Sequence, residues 1–123
     1  MAAKIMIVDD SALSRRTMRR TLEAAGYDVV EAIDGIAALE MYFIEQPEAV
    51  LLDLVMKGMY GLDVLSKLRE MDPNVRVIIV SADIQSSTRT LAQEGGAFAL
   101  INKPIIASEV IDTLRTALVE RNP

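Results

Sequence analysis

The chain has no cysteine and no histidine among its 123 residues. Without cysteine it forms no disulfide, no zinc–thiolate or iron–sulfur site, and it has no thiol nucleophile. Without histidine it has no Ser-His-Asp triad, no histidine general base and no phosphohistidine of its own. The absence of both residues leaves carboxylates, amines and hydroxyls as the candidate reactive groups.

Aromatic residues, basic residues and long apolar runs are also scarce. Aromatics make up 4% of a chain that is 51% apolar, so the core is mostly aliphatic. The 18 acidic residues outnumber the 13 basic ones, for a net charge of −5. This balance argues against a nucleic-acid partner, which needs concentrated Lys and Arg. No run is long enough to span a bilayer and the first residues do not resemble a signal peptide, so we expect a cytoplasmic protein without membrane association.

Short apolar runs alternate with longer amphipathic segments along the chain. The runs are rich in β-branched residues, which is typical of strands covered on both faces. They are Ile5–Val8, Asp28–Glu31, Ala49–Leu52, Val75–Val80 and Phe98–Ile101. Between them, apolar residues recur with helical period, as Met18, Leu22 and Ala25 do in the first segment.

Five successive β-α units predict an α/β domain with a doubly wound parallel sheet and helices on both faces. The expected order of the five strands is the flavodoxin-like 2-1-3-4-5. Turn chemistry predicts helix C-termini at Gly26, Pro73 and Gly95–Gly96, and N-caps at Asp34 and Ser108. We expect one domain over residues 1–123, ending in a helix close to Asn122–Pro123, with no output domain.

Polar side chains follow four of the five predicted strands. Asp9 and Asp10 come after the first, Asp53 after the third, Ser81 after the fourth and Lys103 after the fifth. Because ligand sites in such sheets lie beyond the carboxyl ends of the strands, we expect these side chains to converge. Each of these residues alone has a simpler explanation as a cap or turn residue, and it is their joint order that indicates a site.

Three carboxylates in one pocket repel one another by about 4 kcal/mol per pair at an effective dielectric constant near 20. Protonation of one acid or binding of a divalent cation would relieve this repulsion, and Mg²⁺ is the usual cation where phosphate is also present. One lysine, Lys103, does not balance three acids. An aspartate can also accept a phosphoryl group, and Asp53 is the best candidate because its strand is central.

Four segments carry a resemblance to a known family. They are Val8-Asp9-Asp10-Ser11, Leu51-Leu52-Asp53-Leu54, Ser81-Ala82 and Lys103-Pro104. With these segments in this order, the whole chain resembles a response-regulator receiver domain of the stand-alone, chemotaxis-regulator type, as found in two-component signalling.

The resemblance implies a role for each matching residue. Asp53 would accept a phosphoryl group from a phosphohistidine on a sensor histidine kinase or phosphotransfer protein. Mg²⁺ would be bound by Asp10 and Asp53, by Asp9 mainly through water, and by the backbone carbonyl of Val55. Ser81 and Lys103 would bind the phosphoryl group, and the Lys103–Pro104 peptide would be cis.

The chain departs from the family pattern near the phosphorylation site. Lys57 stands where the family usually has proline, and Tyr60 where it has an acid. Leu100 stands where many members have an aromatic or histidine ring that turns inward on activation; Phe98, on the same strand face, is a possible substitute. Val55 and Asp83 occupy positions that tune the lifetime of the phosphate in this family.

These features leave three functions open. The first is a switch that changes its binding surface for a downstream protein when phosphorylated, and that acts as a monomer with a possible phosphatase. The second is an unphosphorylated pseudo-receiver that serves as an interaction domain. The third, an Asp-nucleophile phosphohydrolase, is disfavoured because Val55 stands where such enzymes carry a second acid. The four arginines of the first helix are interpreted as a solvated face, with docking of an acidic partner as the alternative.

Overall fold

A computed structural model of the chain describes residues 2–82 and 84–120. Five strands and five helices alternate along these residues. The strands are β1 (Lys4–Val8), β2 (Asp28–Ala32), β3 (Ala49–Leu52), β4 (Val77–Ser81) and β5 (Ala99–Asn102). The helices are α1 (Ala12–Ala24), α2 (Gly35–Glu45), α3 (Gly61–Met71), α4 (Ser86–Glu94) and α5 (Ala107–Glu120).

The strands form one sheet in the order β2-β1-β3-β4-β5, and every neighbouring pair is parallel. This confirms the predicted order. The two faces of the sheet carry separate apolar cores. Helices α2, α3 and α4 cover one face, where Leu52 and Ile79 are fully buried. Helices α1 and α5 cover the other, where Leu51 and Ile78 are buried. Alternate side chains of one strand therefore enter different cores, as the period of a strand requires.

Strand and helix ends differ from the predictions by one or two residues. Strand β4 begins at Val77 and includes Ser81, and β5 begins at Ala99. Helix α1 ends with Ala25 as an exposed C-cap, followed by Gly26 at φ +92°, so Ala25 does not belong to the core stripe. Helix α5 begins at Ala107, and Ser108 therefore lies inside the helix instead of capping it.

Other predicted features are confirmed by the backbone. Asp34 caps α2, its carboxylate accepting a 2.8 Å hydrogen bond from the backbone N–H of Ala37. Helix α3 ends two residues before Pro73. The Lys103–Pro104 peptide is cis. The predicted end of the last helix near residues 122–123 lies outside the described residues, as does Asp83. No helix in the described part of the chain is long and apolar enough to cross a bilayer.

Candidate functional site

The backbone hydrogen bonds of the sheet continue one residue past the strands and fix the predicted site residues at one edge. The N–H of Asp53 donates to the carbonyl of Val8 at 2.9 Å, and the N–H of Asp9 donates to the carbonyl of Ala32 at 3.2 Å. The N–H of Lys103 donates to the carbonyl of Ser81 at 3.0 Å. Neighbouring strands therefore present Asp9, Asp53, Ser81 and Lys103 from the same edge of the sheet.

Lys103 joins two of the acids. Its Nζ lies 2.7 Å from Oδ2 of Asp9 and 3.1 Å from Oδ2 of Asp53. Asp9 is 4% exposed and Asp53 is 8% exposed, so both carboxylates lie largely away from water. An ammonium between two buried carboxylates compensates much of the repulsion that they would otherwise have.

The pKa values of Asp9 and Lys103 are shifted in the directions expected when each charged group stabilises the other. Burial acts to raise the pKa of Asp9, but hydrogen bonds from Lys103, Ser14 and the Ser11 backbone, with the charge of Lys103, hold that pKa below its ordinary value. Burial acts to lower the pKa of Lys103, and the two carboxylates outweigh it and raise that pKa. Both groups are therefore charged at neutral pH.

Asp10 has a different hydrogen-bond partner from Asp9. It is exposed, and its Oδ2 accepts a 3.1 Å hydrogen bond from the backbone N–H of Lys57, in the loop between β3 and α3. Within residues 2–82 and 84–120, no three acidic side chains stand together in an arrangement that holds a metal ion. The structure thus brings Asp9 and Asp53 together through Lys103 and leaves Asp10 turned toward the loop.

Ser81 and Val55 are each joined by a backbone hydrogen bond to one of the site residues, Ser81 to Lys103 and Val55 to Asp53. Ser81 is fully buried as the last residue of β4 and pairs in register with Asn102 of β5, next to Lys103. The N–H of Val55 donates to Oδ1 of Asp53 at 3.2 Å, while the Val55 side chain is 59% exposed. Val55 therefore contributes backbone groups at the site and presents an apolar side chain to solvent.

The arginines of α1 are not uniformly solvated, which corrects the prediction for two of them. Arg16 and Arg20 are exposed, as expected. Arg15 and Arg19 instead share Glu31 of β2, and Arg15 also donates through Nη1 to the backbone carbonyl of Asp9 at 2.8 Å. Glu31 faces α1 because it lies two residues after Val29, whose side chain packs against the core beneath α1 and α5. This pairing links α1 to Asp9 at the sheet edge. Its only signal in the sequence was Glu31, an acid between the apolar residues Val30 and Ala32 of β2.

The prediction that Phe98 shares a face with Leu100 is wrong. Phe98 precedes the first residue of β5, and its ring packs against the core beneath α1 and α5, with Arg76 5.7 Å above it. Leu100 packs against the opposite core. Phe98 is therefore not placed to substitute for a ring at residue 100.

Gly61 closes the loop that follows Asp53, and sequence analysis did not assign it a role. Its N–H donates to the carbonyl of Leu54 at 3.0 Å. A Cβ at residue 61 would lie 2.5 Å from the Cα of Leu54 and 2.7 Å from the carbonyl oxygen of Asp53. Both are backbone atoms, so a side chain there requires the loop to shift and carry Asp53 with it.

We expect Gly61→Ala to lower the free energy of unfolding by about 1–3 kcal/mol, because it overpacks backbone against backbone. Urea denaturation measures this change. Gly95→Ala is the matched control, since its Cβ would meet the flexible Leu65 side chain at 3.1 Å and no atom closer than that. Equal losses in the two variants would contradict the close approach at residue 61.

A cavity of about 870 Å³ opens at the opposite edge of the sheet. It is lined by residues that precede β1 and β3 and by the ends of α2 and α3, among them Ala3, Phe43, Glu48 and Met71. None of the predicted site residues lines it. The cavity is therefore separate from the acidic site.

The sequence pattern of the response regulator receiver domain matches residues 5–115. The chain belongs to this family. Receiver domains are signalling switches of two-component systems and are generally not classical enzymes. The alternation of strands, the acidic edge and Lys103 are the features of this receiver domain that its sequence had indicated.

Curated relatives of this receiver domain include longer response regulators. It is 32% identical over 123 residues to the response regulator MprA of Mycobacterium bovis (strain BCG / Pasteur 1173P2), covering 100% of this chain and 54% of that protein. It is 33% identical over 118 residues to MprA of Mycobacterium ulcerans, covering 96% of this chain and 51% of that one. The chain thus spans about half the length of these relatives.

Solved structures share the fold over nearly the whole receiver domain. A CheY-like receiver domain protein from Methanospirillum hungatei has a TM-score of 0.94 at 25% identity, with 98% of this chain and 97% of that one covered. CheY in a CheX–CheY complex with BeF3 and Mg²⁺ from Borrelia burgdorferi has a TM-score of 0.89 at 28% identity, with 93% and 87% covered. That complex pairs a similar chain with a protein partner and a metal.

Proposed function

We propose that this receiver domain is switched by phosphorylation of Asp53, with the phosphoryl group supplied by a phosphohistidine of a sensor histidine kinase or phosphotransfer protein. The observation that carries the proposal is the contact of Lys103 Nζ with both Asp9 and Asp53, at 2.7 and 3.1 Å. A nucleophilic carboxylate, a second acid and an ammonium at one sheet edge match the requirements of phosphoryl transfer to aspartate.

In this proposal a carboxylate oxygen of Asp53 attacks the phosphorus of the donor. The P–O bond to Asp53 forms as the P–N bond to the donor imidazole breaks, and the imidazole leaves with its electron pair and takes up a proton. Lys103 and the Ser81 hydroxyl bind the phosphoryl oxygens. Asp53 carries the transferred phosphoryl group itself. The domain therefore promotes only its own phosphorylation and dephosphorylation and does not turn over a separate substrate.

The acidic edge supplies the donor atoms that Mg²⁺ prefers. Asp9, Asp10 and Asp53 offer carboxylate oxygens and Val55 a backbone carbonyl, and Mg²⁺ commonly takes one or two carboxylates and keeps several waters. A phosphoryl group adds about −2 of charge to this edge, more than Lys103 balances. The residues therefore fit Mg²⁺, with Asp10, Asp53 and the Val55 carbonyl as direct ligands and Asp9 as a ligand mainly through water. When bound, the cation neutralises charge on the phosphoryl group.

Two exposed apolar side chains follow the site residues closely along the chain, one after Asp9–Asp10 and one after Lys103. Leu13, in the first turn of α1, is 69% exposed, and Ile106, before α5, is 63% exposed. The buried centre of a protein interface is more apolar than the rest of the surface. We propose that the donor docks on Leu13 and Ile106 and so brings its phosphohistidine to Asp53.

We expect Leu13→Glu to lower the rate of phosphoryl transfer from the cognate kinase or phosphotransfer protein by about 10-fold or more, because a charge replaces an apolar contact. The rate with acetyl phosphate should not change. Ile44→Glu is the control, since Ile44 is 73% exposed on α2 and takes no part in the proposed surface. A loss that is equal with both donors would show that Leu13 acts on the site itself.

Phosphorylation would change the surface formed by α4, β5 and α5, which a downstream protein binds. Ser81 and Lys103 are joined through the backbone between β4 and β5, so movement of either toward a phosphoryl group is transmitted to this surface. The charge added shifts an existing equilibrium between conformations. Leu100, in β5, packs against the core beneath α4. In this proposal, movement of β5 is transmitted to that core through the aliphatic side chain of Leu100.

We further propose that residues 1–123 act as one receiver domain, monomeric and cytoplasmic, whose phosphorylation a phosphatase can reverse.

Beryllofluoride tests the proposed function directly, because it mimics a phosphoryl group on aspartate. We expect its ¹⁹F resonance to show a bound species with wild-type protein and Mg²⁺, and none after Mg²⁺ is removed with EDTA. Absence of binding in both conditions would favour the pseudo-receiver, and sustained hydrolysis of a phosphomonoester would favour the phosphohydrolase.

A further inference from the structure

One hydrogen bond, from the backbone of residue 57, joins Asp10 to the loop after β3. The backbone N–H of Lys57 donates to Oδ2 of Asp10 at 3.1 Å and joins residues 47 positions apart in the chain. Both residues are exposed, and the chain bends directly afterwards at Gly58, which has a φ of +87°. Only a residue with a backbone N–H forms this bond, and proline does not.

The hydrogen bond from Lys57 orients Asp10, which is one of the proposed Mg²⁺ ligands. Asp9 and Asp53 both contact Lys103, whereas Asp10 accepts a hydrogen bond from the loop. No three acids of the described residues stand together as a metal site. A cation bound between Asp10 and the other two carboxylates would compete with the Lys57 N–H for the carboxylate oxygens of Asp10.

We propose that the Lys57 N–H is a latch that holds Asp10 toward the loop when no metal is bound, and that Mg²⁺ binding releases it. Lys57 is thus a positioning residue that sets the affinity for Mg²⁺ through its backbone. The inference rests on the proposed function in one respect, that the acidic edge binds Mg²⁺. It adds that the loop between β3 and α3 rearranges with metal before any phosphoryl group arrives.

Two variants separate the backbone from the side chain of residue 57. Lys57→Ala removes the ammonium, which repels a nearby cation, and keeps the N–H. Lys57→Pro removes both. We expect titration with magnesium chloride, followed by calorimetry, to show that Lys57→Pro binds Mg²⁺ about 3- to 10-fold more tightly than Lys57→Ala, the factor expected from losing one ordinary solvent-exposed hydrogen bond.

Nuclear magnetic resonance of the wild-type protein gives a second test that does not depend on a proline variant folding. The amide of Lys57 should lose its downfield shift and exchange faster with water as Mg²⁺ is added. Equal or weaker Mg²⁺ binding by Lys57→Pro than by Lys57→Ala would overturn the latch, as would an amide of residue 57 that does not respond to Mg²⁺.

The outcomes for the latch and for the proposed function are distinguishable. Phosphoryl uptake by Asp53, combined with no effect of the Lys57 N–H on Mg²⁺ affinity, would remove the latch and leave the function. Tighter binding of Mg²⁺ by Lys57→Pro, combined with no phosphoryl uptake, would leave the latch and remove the function. Absence of Mg²⁺ binding in wild type and both variants would overturn the latch.

Discussion

An Asp53→Asn variant is expected to take up no phosphoryl group from acetyl phosphate, so that its labelling falls at least about 100-fold below that of the wild type. The amide lacks the anionic oxygen that attacks phosphorus, while its size preserves the packing around residue 53. Asp53 is 8% exposed and its N–H is bonded to β1, so the substitution changes the chemistry with little change in the fold. Intact-mass spectrometry after incubation with donor and Mg²⁺ measures the result.

Asp63→Asn is the matched control for this variant. Asp63 lies exposed in the first turn of α3, at the far end of the loop that begins at Asp53. It should be labelled like the wild type. Labelling of Asp53→Asn at the wild-type level would assign the phosphoryl group to another residue and contradict the proposed role of Asp53.

Lys103→Met should slow phosphoryl uptake by about 100- to 1,000-fold, the usual cost of removing one group that stabilises charge in the transition state. Methionine keeps much of the aliphatic length of the side chain and removes the ammonium that contacts Asp9 and Asp53. Measuring the rate of labelling at saturating Mg²⁺ separates this effect from metal binding. A rate within a few-fold of the wild type would show that Lys103 is structural only.

The same variant should be less stable, with a characteristic dependence on pH. Lys103 holds the pKa of Asp9 below its ordinary value, so the pair stabilises the fold above that value and the contribution is lost as pH falls through the folded-state pKa. Breaking a pair that is largely buried costs about 3–5 kcal/mol, and less here because Lys103 is partly exposed. Denaturation in the absence of Mg²⁺ should show the full deficit at pH 7.

Acidic pH distinguishes the loss of the ion pair between Lys103 and Asp9 from the loss of packing by the Lys103 side chain. As the pH falls through the lowered folded-state pKa of Asp9, this carboxylate becomes protonated, and the difference in unfolding free energy between wild type and Lys103→Met should shrink. Lys67→Met, an exposed substitution on α3, controls for the loss of a lysine. A deficit that stays constant between pH 7 and pH 3 would indicate lost packing in place of the lost ion pair.

The sheet and its acidic edge follow from the sequence because each depends on local patterns. Buried parallel strands such as Ala49–Leu52 are apolar throughout, and their alternation with helices leaves few topologies. Once the strand order is given, residues that follow neighbouring strands must meet at one edge. The predicted neighbourhood of Asp9, Asp53 and Lys103 is confirmed for that reason, although their proposed chemical roles stay predictions.

What the sequence did not predict depends on contacts that no pattern specifies. The bond from Lys57 to Asp10 uses a backbone N–H, which any residue but proline supplies. Arg15 and Arg19 look like other surface arginines until β2 places Glu31 beside them. Gly61 matters because its backbone closely approaches that of Asp53 and Leu54, and a glycine at the start of a helix gives no sign of this.

The most direct test of the account is to locate the phosphoryl group in the wild-type chain. After incubation with acetyl phosphate and Mg²⁺, the acyl phosphate is reduced with borohydride and the modified residue is identified by tandem mass spectrometry. We expect a single modified aspartate, Asp53, and no modification when Mg²⁺ is removed. Modification of another residue, or none with the donor in excess, would contradict it.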